Sequence, residues 1–180
     1  MNAFSPESIQ HELVNAQDCD PRELRNLLGK FATGVTVITT RTPDGRNVGM
    51  TANSFSSVSL DPPLVLWSIS RNAPSLADYL SCGHFAINIL GADQHDLSGR
   101  FARPAPDKFS GVAFKAGEAG VPLLDGVIAT LVCRNVTQYE GGDHLIFLGQ
   151  IEHYRHGTGE PLVFHCGQYR VASEHPGLSR

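Results

Sequence analysis

Chain-breaking residues constrain this sequence most. Eighteen glycines and eleven prolines punctuate 180 residues. A bundle of long helices does not tolerate that density, whereas many short elements joined by turns do. Hydrophobic residues make up 41% and charged residues 18%, so a sizeable core is available and the chain is no disordered tail. The length suits one domain, on a prior of ~150 residues per domain. Fourteen Lys and Arg against eighteen Asp and Glu give a formal charge of −4. That balance argues against nucleic acid or an anionic membrane as partner, because both need a concentrated basic face.

Asp20, Pro21 and Glu23 open a helix with a capping box. Leu24, Leu27, Leu28 and Phe31 follow at helical spacing, and Gly34 is the expected stop. Residues 1–20 read as a polar arm or a poorly ordered helix and 173–180 as a tail, which leaves one domain over 21–172. The run from Val35 to Thr40 is β-branched throughout, Pro43-Asp44-Gly45 is a turn, and Val48–Met50 is a return strand. Further strands are expected at Ser54–Leu60, Leu64–Ile69, Phe85–Leu90, Val127–Val132, Leu145–His153 and Leu162–His165. Ser75–Leu80 and Asp93–Ala102 read as short helices, Gly141-Gly142-Asp143 as a tight turn, and residues 103–126 as a loop. Strand follows strand with few crossover helices. The expectation is therefore a mainly β fold, a closed antiparallel barrel with peripheral helices, rather than a parallel doubly wound sheet.

Generic motifs name no chemistry. Cys19, Cys82, Cys133 and Cys166 include no CxxC, which reads as four reduced, mostly buried thiols of a cytoplasmic protein and no structural zinc. GxGxxG after a strand, GxxxxGK[ST], HExxH, GxSxG and the EF-hand loop are all absent. His153 and His156 read as a solvated pair at a turn rather than a metal site. No apolar run approaches the ~20 residues needed to cross a bilayer, and the N-terminus lacks the pattern of a signal peptide.

The most unusual stretch is Gly49-Met50-Thr51-Ala52-Asn53-Ser54-Phe55-Ser56-Ser57-Val58-Ser59. Small, hydroxyl-rich and bracketed by apolar strands, it lets backbone approach a flat ligand closely. A polar edge strand facing water fits the same composition. Five further strings stand in order around it: Gly29-Lys30-Phe31-Ala32-Thr33-Gly34-Val35-Thr36-Val37, Ser59-Leu60-Asp61-Pro62-Pro63-Leu64, Phe85-Ala86-Ile87-Asn88-Ile89-Leu90, Gly142-Asp143-His144-Leu145-Ile146-Phe147-Leu148-Gly149 and Gly167-Gln168-Tyr169-Arg170. With them the chain resembles, from about Arg25 to Arg170, the short-chain flavin reductases, the small components of two-component flavin-dependent monooxygenases.

The resemblance implies an antiparallel Greek-key split β-barrel of the FMN-binding type, assembled as a homodimer with flavin near the subunit interface. It implies reduction of FMN or FAD by NADH or NADPH and release of the reduced flavin to a partner oxygenase. The missing dinucleotide fingerprint fits, because the family holds its nicotinamide cofactor without that fold. A flavin-binding electron carrier that keeps its FMN and passes electrons to a protein partner would use the same barrel. So would a pyridoxamine-phosphate-oxidase-like enzyme, but that enzyme needs more basic residues around a phosphate than stand here.

Matched residue by residue, Arg46, Asn47, Val48, Gly49, Met50, Thr51, Ala52 and Asn53 fall on the family's main flavin segment. Trp67, Ser68 and Ile69 fall on a second flavin-lining strand, with Trp67 where smaller aliphatic residues are frequent. Ala73 to Ser75 fall where the ribityl phosphate is held, at a helix start with free N–H groups, and Arg71 is close by. Phe101 and Ala102 match a third contact region, although Phe101 suits a core position equally. His144 matches the histidine associated with the nicotinamide cofactor, with Arg25 and Tyr169 on the same pocket; Gly-Asp-His also serves as a plain hairpin turn. Hydride passes from nicotinamide C4 to flavin N5 without an obligatory acid or base, so no catalytic side chain is expected.

Overall fold

The computed structural model describes Leu13 and residues 15–177. The expected arm therefore lies mostly outside the described residues, which hold of it a single 3-10 turn at Ala16–Asp18. Helix α1 is Pro21–Leu28. Asp20 caps it by accepting the Arg22 N–H at 2.7 Å. The helix stops earlier than expected: the Gly29 N–H closes the last turn on the Arg25 carbonyl at 2.9 Å. Gly34 is no helix stop, because Thr33–Gly34 forms strand β1 and pairs with Phe164 and Val163.

The remaining strands are β2 Thr36–Arg41, β3 Asn47–Ala52, β4 Ser56–Leu60, β5 Pro63–Ser70, β6 His84–Ile89, β7 Phe114–Ala116, β8 Pro122–Leu124, β9 Ala129–Gly141, β10 His144–His156, β11 Leu162–His165 and β12 Gln168–Val171. Helices α2, Leu76–Ser81, and α3, His95–Ala102, lie between them. Seven strands form one antiparallel sheet in the order β3-β2-β6-β9-β10-β5-β4, and β1-β11-β12 form a smaller one. The fold is mainly β with peripheral helices, as expected, but the sheet is not closed by a main-chain ladder, since β3 and β4 stand at its opposite ends. At the corner between β3 and β4 the Ser54 hydroxyl accepts from the Ser68 N–H at 3.0 Å and donates to the Ser68 carbonyl at 3.1 Å. The corner is thereby stitched to β5.

Turn chemistry sets the registers. Gly142 adopts φ 73°, the left-handed conformation a two-residue hairpin needs, and His144 then pairs with Gly141. The strands expected at 127–132 and 145–153 are each 13 residues long, because β9 and β10 pair with each other from Ala129 opposite His156 to Gly141 opposite His144. His153 and His156 accordingly lie within exposed β10 and not at a turn. The expected loop over 103–126 contains the β7–β8 hairpin. Its strands of three residues are too short to show a period.

Side chains of β5 alternate. Val65, Trp67 and Ile69 enter the core, where the Trp67 ring stacks on Phe147 at 4.7 Å and meets Tyr79 edge-on at 4.9 Å. A second cluster, built from Val35, Val37, Leu90, Phe101, Leu124 and Leu162 among others, packs under α3. All four cysteines are free, but only Cys82 and Cys133 are buried, so the thiols are not mostly buried as expected. Burial pushes the Cys133 thiol up to about 12 and raises Cys82 as well. Among the described residues no helix is long and apolar enough to cross a membrane.

Candidate flavin site

Strand β3 is an end strand: β2 holds one side, and no strand of the sheet holds the other. In an antiparallel ladder the main-chain groups of successive residues point alternately to the partner and away from it. The Gly49 carbonyl points to the open side, where the Lys108 ammonium donates to it at 3.1 Å. Two-residue periodicity puts the main-chain groups of Asn47 and Thr51 on that open side too. Side chains alternate in the same way. Val48 and Ala52 enter the core, so Asn47, Gly49 and Thr51 face α3 and the loop after it.

Between these parts lies a cavity of about 620 Å³. Residues 46–51 of β3 form one wall, Ala73, Pro74 and Ser75 before α2 another, and Phe101, Ala102 and residues 104–110 the rest. A glycine is required at 49. A Cβ there would stand 2.5 Å from Cε1 of Phe101, so the bare backbone lets the Phe101 ring lie against β3. Phe109 meets that ring edge-on at 5.1 Å.

The charges are arranged unequally. Arg46 is held by Asp78 at 2.7 Å, and that hydrogen bond and charge raise its pKa. Lys108 donates to the carbonyls of Gly49 and Phe101, at 3.1 and 2.9 Å, and among the described residues no carboxylate pairs with it. Burial lowers its pKa. Asp107 caps the turn that carries the lysine, accepting from the N–H groups of Phe109 and Ser110 at 2.9 and 3.1 Å. The cavity also presents acceptors. Asn47 Oδ1 is buried with no partner, a costly state unless a ligand donates to it. Thr51 spends its proton on the Ser98 carbonyl at 2.6 Å, so toward a ligand its hydroxyl only accepts. An open strand edge, one orphaned acceptor, a hydroxyl that can only accept and, among the described residues, a cation free of any carboxylate fit a flat heteroaromatic ligand with hydroxyl or N–H donors and an anionic tail. A flavin has those parts.

Of the residues expected to contact flavin, Arg46, Asn47, Val48, Gly49, Met50, Thr51, Ala73, Ser75, Phe101 and Ala102 line this one cavity. Phe101 is also fully buried, so its two readings coincide. Trp67 and Ile69 do not reach the cavity, because strand alternation turns both side chains into the core, where they are 0% and 1% exposed. Ala52 is likewise buried, Asn53 is exposed at the corner beyond β3, and the Ser68 main chain is taken by Ser54. The three expected nicotinamide contacts lie outside the cavity. His144 starts β10 opposite Ser70 and holds Asp143 at 2.8 Å, whereas Arg25 is on α1 and the Tyr169 hydroxyl meets Ser98 at 2.8 Å. Asp78 and the stretch 104–110, Lys108 above all, were not anticipated from sequence. The available signal was a lysine following Pro104-Ala105-Pro106-Asp107, directly after the helix that supplies Phe101.

Comparison with known proteins agrees with this geometry. The FMN reductase (NADH) SmoA of Agrobacterium fabrum is 44% identical over 148 residues, covering 82% of this chain and 84% of that protein. The reductase component of a flavin-dependent trigonelline monooxygenase of Acinetobacter baylyi is 43% identical over 148 residues, and there the match spans 82% of this chain but only 48% of the relative. This chain thus spans about half the length of some of its curated relatives. Among solved structures, the NADH:FAD oxidoreductase of Streptomyces globisporus in complex with NAD and FAD fragments superposes with a TM-score of 0.84 at 38% identity, covering 94% of this chain and 100% of that one. The family profile described as flavin reductase like domain matches residues 28–173. With most of the chain inside that match, this protein belongs to the flavin reductase-like family.

Proposed function

We propose that this protein is an NADH-dependent flavin reductase that reduces FMN or FAD and supplies the reduced flavin to a separate monooxygenase component. The observation that carries the reading is the open edge of β3 beside Lys108, a cation without a carboxylate partner among the described residues, in a cavity walled by Asn47 with its orphaned acceptor. The relatives' names, an FMN reductase using NADH and a monooxygenase reductase component, support it.

A bound flavin supplies the hydride acceptor. The chain's own residues seat and orient it. Gly49 lets the Phe101 ring pack against β3 as a wall of the site, Asn47 Oδ1 and Thr51 Oγ1 accept from its donors, and Lys108 places positive charge for the phosphate. No side chain has to hold a proton during hydride transfer, so positioning and exclusion of water are the chain's task. Arg25, His144 and Tyr169 are the proposed nicotinamide contacts.

The domain over residues 21–172, built on the open seven-stranded sheet, is read as a split barrel. A second copy is the proposed cover for apolar surface. Leu27 and Leu28 on α1 are 60% and 66% exposed, Phe31 beyond it 79%, and Leu60 on β4 94%. Sedimentation should give a dimer, and a monomer that keeps its activity at micromolar concentration overturns that assembly. Four free thiols agree with a reducing compartment.

Replacing Lys108 by Met tests the site. Losing one charge-assisted hydrogen bond costs about 1.5–3 kcal/mol, so flavin Kd should rise about ten-fold or more. An unchanged titration in the folded variant puts the flavin elsewhere. NADH oxidation in excess free flavin separates the reductase from a flavin-retaining carrier, which would stop after one equivalent.

A further inference from the structure

One chain of contacts joins the cavity to a surface outside it. Ser98, in the middle of α3, is fully buried. Its carbonyl takes the proton of Thr51 at 2.6 Å, on the cavity wall, and its hydroxyl meets the Tyr169 hydroxyl at 2.8 Å, on β12 of the small sheet. Tyr169 is 40% exposed. Its ring packs edge-on against Phe164 at 5.6 Å and lies 6.5 Å from His95, the first residue of α3. One helical turn beyond Ser98 on the same helix is Phe101, whose ring occupies the space left by the missing side chain of Gly49. The helix is thus tied on one side to the cavity strand and on the other to a partly exposed tyrosine of another sheet. Both ties use the same residue.

We propose that Ser98 is a positioning residue coupling the two substrates: a nicotinamide dinucleotide packed on Tyr169 changes, through Ser98 and α3, how tightly the cavity holds flavin. The proposal rests on the reading of the cavity as the flavin site and of Tyr169 as a nicotinamide contact. Fixing the Tyr169 hydroxyl fixes Ser98, which sets both the acceptor that orients Thr51 and the placement of the Phe101 ring. A ligand on either side orders the shared helix, so the second ligand finds it already ordered. By linkage, flavin must change the affinity for the nicotinamide cofactor by the same factor.

The experiment uses the full chain, FMN or FAD followed by its fluorescence, and NAD⁺ in place of NADH so that no hydride moves. Flavin Kd is measured without and with saturating NAD⁺, and NAD⁺ Kd without and with flavin, in the unmodified protein, in Tyr169→Phe and in Ser98→Ala. The unmodified protein should show a cross-effect of about five-fold or more. Tyr169→Phe keeps the ring and removes only the hydroxyl; whatever its own Kd for each ligand, the cross-effect should fall toward one. Ser98→Ala should do the same. A cross-effect absent from the unmodified protein, or intact in either folded variant, overturns the coupling while leaving the flavin site standing. Failure of flavin alone to bind, or of Lys108→Met to weaken it, overturns the site reading and the coupling with it. A purely structural role for the Tyr169 hydroxyl would lower thermal stability without altering the ratio of affinities, and that outcome also overturns the proposal.

Discussion

At Gly49 the absence of a side chain is the structural requirement. A methyl group there meets two atoms of the Phe101 ring at 2.5 and 2.7 Å, and the ring is fully buried with little room to yield. Overpacking of this kind costs about 1–3 kcal/mol. Gly49→Ala should therefore lower the denaturation midpoint and weaken flavin binding together, because the displaced ring is a cavity wall. A variant with native stability and native flavin affinity would contradict this account. Gly49 and Thr51 were legible in the sequence as small and hydroxyl-bearing residues of an unusual stretch. Lys108 was not. Its importance comes from two carbonyls brought to it by β3 and α3, and nothing local in a Pro-Ala loop announces such long-range partners. Trp67 was placed by its match to a flavin-lining strand, and a match to a strand does not tell which face a side chain takes; here the ring is turned into the core.

Among elements, the long strands were visible through β-branched runs and turn chemistry, and the first helix through its cap. The short ones were not. β1, β7, β8 and β12 have two to four residues each, below the length at which alternation reads as a period. The closed barrel was misjudged because closure depends on which strands pair across the two ends of the sheet, and β3 and β4 do not; the corner between them is held by a hydroxyl. Ser54 serves both main-chain groups of Ser68. Ser54→Ala leaves that N–H and carbonyl without their partner, at a cost of about 1–3 kcal/mol if water does not replace it. The expected outcome is a lower urea midpoint and faster amide exchange at Ser68 than at Val65. Unchanged exchange at Ser68 would show that the corner is held by other contacts.

For the molecule as a whole, the buried thiols set an alkaline limit. A thiol whose pKa is raised by folding keeps its proton in the native state at pH values where the unfolded chain has lost it. Its contribution to stability is whole below the unfolded thiol's pKa of ~8.5 and is lost as pH climbs toward the native value, about 12 for Cys133. Thermal midpoints should fall progressively above pH ~9, and less steeply in Cys133→Ala, whose midpoint at neutral pH is the reference. An equal slope in that variant would assign the loss to other groups. The open edge of β3 has a consequence of another kind. A reductase that gives its flavin away spends part of every turnover empty, and an empty site here exposes a strand with unpaired main-chain groups. Such an edge invites a strand from another molecule. The ammonium that occupies the Gly49 carbonyl, with the Pro-rich loop that carries it, lies across that edge. The residues proposed to hold the flavin phosphate are thus also the ones that cover this edge when the site is empty.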